Sequence, residues 1–351
     1  MKLRLLTILA LISIISAQTT VNPDFSVIGQ TRIQSTDSTA QLNFADIELA
    51  LTGYLNPFAR ADVYLHKHDV SAAFELEEAV ITLERFLPLG TEARIGLFKP
   101  NFGAINQDHA HTWSHIHAPV GAAEFLGEEM WMSGGAEFSW FMPLPWAADL
   151  SLGAFQSAPG AHDHGHRDEH DHEAEAEIDE ETSAYVARLG HFFDLSTSSH
   201  LEAGSSIMLN SENETKLVNL ESKFKWKPDS YRSLTLQSEL FLPISQDAHE
   251  EHADDEEAAE EHDEEPPELS AYFLLDYQWQ KRWNAGLLLD LLKVHEETSI
   301  LPGAFIGFDL GEESSMLRIV VKQEEHEHEE THWQVTGQLL WSLGPHKAHK
   351  F

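Results

Sequence analysis

Two neighbouring stretches decide the fold: Lys216-Leu217-Val218-Asn219-Leu220-Glu221-Ser222-Lys223-Phe224-Lys225-Trp226, and Leu234-Thr235-Leu236-Gln237-Ser238-Glu239-Leu240-Phe241-Leu242. In the first, Val218, Leu220, Phe224 and Trp226 share one face, while Asn219, Glu221, Lys223 and Lys225 share the other. In the second, Leu234, Leu236, Leu240 and Leu242 alternate with Thr235, Gln237 and Glu239. Period-two alternation over about ten residues marks a strand with one face in an apolar medium and one in a polar medium. Pro228-Asp229-Ser230 between them supplies a tight turn.

The same pattern extends in both directions. Ala45, Ile47, Leu49 and Leu51 oppose Phe44, Asp46, Glu48 and Thr52, and Leu317, Ile319 and Val321 oppose Met316, Arg318, Val320 and Lys322. Sixteen such segments are predicted: 24–35, 41–54, 58–67, 73–85, 92–99, 132–142, 147–157, 183–194, 198–209, 215–226, 231–243, 268–280, 283–294, 300–310, 314–323 and 332–343. Every second link is short and turn-like, as at Asn56-Pro57 and Gln280 to Arg282. The long links, 100–131, 158–182, 244–267 and 324–331, all fall in the other set. An even strand number with short periplasmic turns and long outer loops predicts an all-β, antiparallel transmembrane β-barrel of about 16 strands, embedded in outer-membrane lipid. A soluble sandwich would alternate too, but it would not segregate its long loops to one side. Aromatic residues near strand ends, among them Trp140, Trp146, Trp226, Tyr231, Trp279, Trp283, Trp333 and Trp341, predict interfacial girdles.

The first residues read as a targeting segment. Lys2 and Arg4 precede an apolar run from Leu5 to Ile15, and Ser16-Ala17 offers a small-residue cleavage site. Residues 1–17 are therefore expected to be a signal peptide and 18–351 a single barrel. No later stretch is long and apolar enough for a membrane helix. There is no cysteine, so an exported chain must take its stability from the closed barrel.

The formal charge is −37, with 59 acidic residues against 22 Lys and Arg. That balance excludes nucleic acid as a partner and disfavours anion selectivity, but it attracts cations. Most of the 22 histidines fall in or beside predicted outer connections. Neutral imidazole is the common nitrogen donor for zinc, copper and nickel, and carboxylates complete or orient the shell. Loop 158–182 carries His162, His164, His166, His170 and His172, and 324–331 carries His326 and His328. These low-complexity tracts read either as weak metal collectors or as solvated acidic loops. Loop 100–131 differs because it mixes Phe102, Ile105, Trp113, Ile116, Phe125 and Met130 with its polar residues. It is expected to fold inward and narrow the lumen. Its His109, His111, His115 and His117, with Asp108 beside them, are the candidate ordered metal site. The alternative is that they hydrogen-bond a structural loop. Neither a nucleophile elbow nor a zinc-protease helix nor a phosphate-binding loop is present, so the chain is expected not to be an enzyme.

Two patches carry a family resemblance. The terminal run Gly337 to Leu343, closed by Phe351, looks like an outer-membrane sorting signal. Lys99-Pro100-Asn101-Phe102-Gly103, His109-Ala110-His111 and Phe125-Leu126-Gly127-Glu128-Glu129 resemble porin-like proteins described as zinc-regulated outer-membrane receptors. The resemblance implies zinc as the bound or transported ion, a homotrimer, and a periplasmic zinc-binding protein as the recipient. Such receptors are sometimes described as TonB-dependent. That class carries a plug and about 22 strands, and this sequence has room for neither. The expectation is a porin-like channel admitting divalent metal through His/Asp/Glu-rich outer loops. The alternative is a non-conducting surface or exported zinc-buffering protein.

Overall fold

A computed structural model describes residues 23–36, 39–84, 87–159, 184–211, 216–244, 267–295, 297–311, 314–324 and 332–344. The expected signal peptide, His162, His164, His166, His170, His172, His326, His328 and Phe351 lie outside the described residues.

The alternating segments form sixteen strands: β1 (Asp24–Thr36), β2 (Thr39–Asn56), β3 (Ala59–Lys67), β4 (Glu75–Leu83), β5 (Thr91–Phe98), β6 (Ser133–Phe141), β7 (Ala147–Phe155) and β8 (Ala184–Ser196), followed by β9 (Ser199–Asn210), β10 (Lys216–Asp229), β11 (Arg232–Ile244), β12 (Leu269–Trp279), β13 (Trp283–Val294), β14 (Glu297–Asp309), β15 (Ser315–Glu324) and β16 (His332–Leu343). Each pairs antiparallel with its chain neighbours, and β1 closes the barrel on β16, from Val27 opposite Leu343 to Thr36 opposite Gln334. Closure satisfies the backbone of every strand within the sheet, as hydrocarbon requires.

The two faces separate as the alternation predicts. Leu220, Leu236, Phe273, Leu287, Ile306, Leu317 and Ile319 are exposed on the outside, where lipid would cover them. Asn219, Glu221, Glu239, Asp290, Arg318, Thr336 and Gln338 are buried inside. Short turns close one rim. In the β12–β13 turn, Gln280 and Lys281 both take positive φ, +54° and +62°, the left-handed backbone of a tight reversal. Aromatic rings gather on this rim. Trp279 stacks with Tyr277 and Trp283, and Trp283 lies 4.4 Å from Phe308 between ring centres.

Between β5 and β6 the chain enters the lumen. It makes 3-10 turns at Ile105–Gln107 and Ala110–Thr112 and one short helix, α1 (Val120–Leu126). Phe102, Ile105, Trp113, Leu126, Met130 and Trp131 pack on Val186, Met208, Leu217, Phe241, Tyr272 and Leu288. Those wall positions point inward, yet most are apolar. They lie where the loop docks, which explains why the interior is not polar throughout. Inward folding of 100–131 agrees with the expectation from its composition.

Polar contacts fix the loop around the wall. Glu239 accepts the backbone N–H of Ala104 at 3.0 Å and of Ile105 at 2.9 Å. Ser206 Oγ accepts from Gly103 N–H, and Glu137 accepts from Asn101 N–H. Asp290 accepts the N–H groups of Val120 and Gly121. Arg318 Nη1 donates to the carbonyls of His111 at 3.2 Å and Trp113 at 2.8 Å.

Candidate metal centre

The inserted loop brings two of its histidines against β2 and β4. His111 Nδ1 lies 3.1 Å from Glu48 Oε2, and His109 Nδ1 lies 3.3 Å from the same oxygen. The three ligand atoms lie within 4.8 Å of one another. Two ligands each bound about 2.1 Å from a tetrahedral metal stand about 3.4 Å apart, so these separations suit a shared ion. Three protein ligands would leave a fourth position for water, the open arrangement of exchangeable rather than structural zinc.

Around this trio the charge is predominantly negative. Glu77 Oε1 lies 3.5 Å from His109 Nδ1, and Glu78 Oε1 lies 3.7 Å from Nε2. Lys99, 3 % exposed, offsets one of these charges by pairing with Glu77 at 3.1 Å. Burial opposes a charge on His109, but the Glu48 and Glu77 carboxylates outweigh it and push the imidazole up to about 10. His109 Nδ1 faces the Glu48 and Glu77 carboxylates at 3.3 and 3.5 Å without a well-aligned hydrogen bond to either, and Glu77 Oε2 is buried without a hydrogen-bond partner. An imidazole raised that far carries a proton at neutral pH, so a metal ion taking His109 as a ligand has to displace that proton. The ring of Tyr64 packs 4.7 Å from that of His109.

The other two histidines of the expected quartet go elsewhere. His115 Nδ1 donates to the carbonyl of His117 at 2.5 Å, and its ring stacks on Trp113. His117 Nε2 lies 3.0 Å from Thr336 Oγ1 on β16. Ile116 between them takes φ +67°, and this local reversal turns the segment from β2 and β4 toward β15 and β16. Burial holds His115 down at about 4, with Arg318 and Lys322 adding to the effect, and holds His117 at about 3. These two read as loop anchors, whereas His109 and His111 converge on Glu48. Asp108 lines the same cavity as His109 and His111 but belongs to neither ligand group found among the described residues.

Glu48, Glu77 and Glu78 are not among the site residues that the sequence singles out, although Glu48 lies on the polar face of its strand. The alternation of β2 puts Glu48 on the polar face, but nothing in the sequence sets its level against the inserted loop. A cavity of about 890 Å³ runs from Glu48, His109 and His111 to Asp24, Thr52 and Arg60 near the short-turn rim. Its lining mixes signs, with Glu78, Glu92 and Glu137 set against Arg94, Lys223 and Lys225.

Comparison with known proteins agrees on the fold and leaves the metal open. No protein-family model matches the chain. An uncharacterized protein of Aquifex aeolicus is 25 % identical over 283 residues, 73 % of this chain and 55 % of that protein, so the chain spans about half the length of this curated relative. Among solved structures, OprB of Pseudomonas putida superposes with a TM-score of 0.58 at 8 % identity, covering 92 % of this chain and 94 % of that one. An anion-selective porin from Comamonas acidovorans gives a TM-score of 0.57 at 8 % identity, covering 91 % and 98 %. The fold is that of the outer-membrane porins. With its apolar outer face and closed 16-strand sheet, the chain is an outer-membrane β-barrel protein.

Proposed function

We propose that this barrel is a porin-like channel that collects divalent metal, zinc in the first instance, and admits it across the outer membrane. An anion-selective porin shares the fold, so the fold does not decide the sign of the ion. The sign follows from this chain's own charge of −37 and from the acids gathered round His109 and His111. One observation carries the reading: Glu48, His109 and His111 converge at a spacing suited to one metal, where the inserted loop meets the wall above a large cavity. Assembly as a homotrimer and delivery to a periplasmic zinc-binding protein belong to the same proposal.

A second reading is a barrel that binds zinc without conducting. The breadth of loop docking favours it, because contacts reach β2, β6, β9, β11, β13, β15 and β16. Planar-bilayer recording separates the two. A channel should conduct, prefer cations over anions, and lose part of that preference in high salt, which screens the loop charges. Zinc should reduce the current of monovalent ions, and His109→Ala with His111→Ala should relieve that block. A barrel silent at every voltage leaves only the binding role, and anion preference overturns the reading.

A further inference from the structure

A second histidine pair lies at the outer end of β3, outside the site just described. His66 Nε2 sits 2.7 Å from Asp46 Oδ1, and His68 Nδ1 sits 2.9 Å from Glu129 Oε1. The two rings meet edge to face, 4.0 Å between centres. One donor atom each from His66, His68 and Glu129 falls within a 4.8 Å group. His66 belongs to β3 and His68 follows its last residue, while Glu129 comes from the end of the inserted loop, just beyond α1.

We propose that His66, His68 and Glu129 form a first-contact site where a divalent cation of the zinc class binds at the outer lip, before moving past Glu48 to His109 and His111. This rests on the reading that the barrel takes up divalent metal. Two imidazoles and one carboxylate are a donor set for borderline cations such as zinc, not for magnesium or calcium. Asp46 supplies the supporting carboxylate. Its contact with Nε2 orients the His66 ring, as in carboxylate–histidine–metal arrangements, and leaves the other ring nitrogen for the ion. Arg32 pairs with Asp46 in turn and holds that carboxylate in place.

Register connects the two sites. His66 is the cross-strand partner of Glu48 in the β2–β3 ladder, so both side chains leave the sheet on the inner face at one level. Exposure falls along the same line. The side chain of Glu129 is 67 % exposed and His68 35 %, whereas His66, Glu48, His109 and His111 lie between 9 and 17 %. An ion following this gradient exchanges its waters for protein ligands a few at a time, rather than crossing one large desolvation barrier.

The competing account is that His68 and Glu129 form an ion pair that pins the loop and binds nothing. Diethyl pyrocarbonate modification of the full chain in detergent, mapped by mass spectrometry during a zinc titration, separates the accounts. His66 and His68 should become protected together with one zinc midpoint. Glu129→Gln should raise that midpoint about tenfold or more, while Glu128→Gln, one residue away and outside the cluster, should leave it in place. Unchanged modification rates under zinc overturn the site, as does an equal shift by both variants. Zinc flux without protection of His66 and His68 sinks the lip site alone. Protection without any flux keeps it as a binding site and sinks the uptake reading.

Discussion

Glu239 on β11 accepts the backbone N–H of Ile105 at 2.9 Å, so the barrel wall holds the inserted loop by a main-chain bond rather than by side-chain packing alone. The same carboxylate takes the N–H of Ala104 at 3.0 Å, the hydroxyl of Tyr272 at 2.5 Å and the amide of Asn219 at 3.1 Å. It is nearly inaccessible to solvent. One acidic side chain thus sets the position of the loop turn that leads to His109 and His111.

Glu239→Ala should therefore release the loop with the barrel still assembled. The donors left behind would be buried and unsatisfied, each at a cost of about 1–3 kcal/mol. The expected result is a larger single-channel conductance and faster proteolysis within 100–131, with gel heat-modifiability of the barrel retained. Gly103→Ala should do the same from the other side. Gly103 has φ +66°, and an added Cβ would fall 2.4 Å from Glu239 Oε2. Unchanged conductance in both variants would show that the loop is held elsewhere.

The barrel was legible because lipid imposes a rule on every strand: alternate residues must be apolar, whatever else the strand does. That rule fixed β10, β11 and β15 from Leu220, Leu236 and Ile319 alone. The loop's inward path was legible from Phe102, Trp113 and Met130, which have no place on a solvated loop. Its docking partners were not legible, because they depend on register. In the β2–β3 hairpin an irregularity between Tyr54 and Asn56 shifts the pairing by one. Counting from Asn56 opposite Ala59 alone would put Lys67, not His66, across from Glu48. A one-residue slip exchanges the inner and outer faces. The split of the histidine quartet was hidden for a similar reason, since nothing in a sequence marks Ile116 for positive φ.

Acidification should loosen the loop. His115, 3 % exposed, is held at about 4 and His117 at about 3, first by burial and then by the positive charges facing them: Arg318 and Lys322 for His115, Lys322 and Arg32 for His117. An undocked histidine takes up its proton near its ordinary value of about 6.5. Between about 6.5 and 4 the undocked loop therefore binds protons that the docked loop refuses, and docking weakens as pH falls. Below about 3 the effect levels off. His115 alone accounts for on the order of 3 kcal/mol over that window. Protection of 105–117 against hydrogen exchange, taken relative to the intrinsic amide rate at each pH, should fall between pH 6.5 and 4, and His115→Gln with His117→Gln should flatten that slope. A slope of opposite sign, or one unaffected by the pair, rules these two histidines out as the cause.

The last prediction separates ligands from anchors. Flexible His-rich tracts bind each ion at the cost of ordering the chain, so deleting 161–181 should lower the number of zinc ions bound and spare the tightest. Removing only the groups that hydrogen-bond a metal's ligands costs roughly 10–100-fold in affinity, so losing two of three direct ligands must cost more. His109→Ala with His111→Ala should therefore abolish the tightest site in calorimetry, and Glu48→Gln should weaken it. His115→Ala with His117→Ala should leave that affinity nearly unchanged while loosening the loop, because neither ring belongs to the group around Glu48. Loss of the tightest site in the loop deletion, with no change in the His109 and His111 variant, would place it in the tract 161–181. Equal loss from both histidine pairs would mean that the ion draws all four together, against the division seen at Ile116.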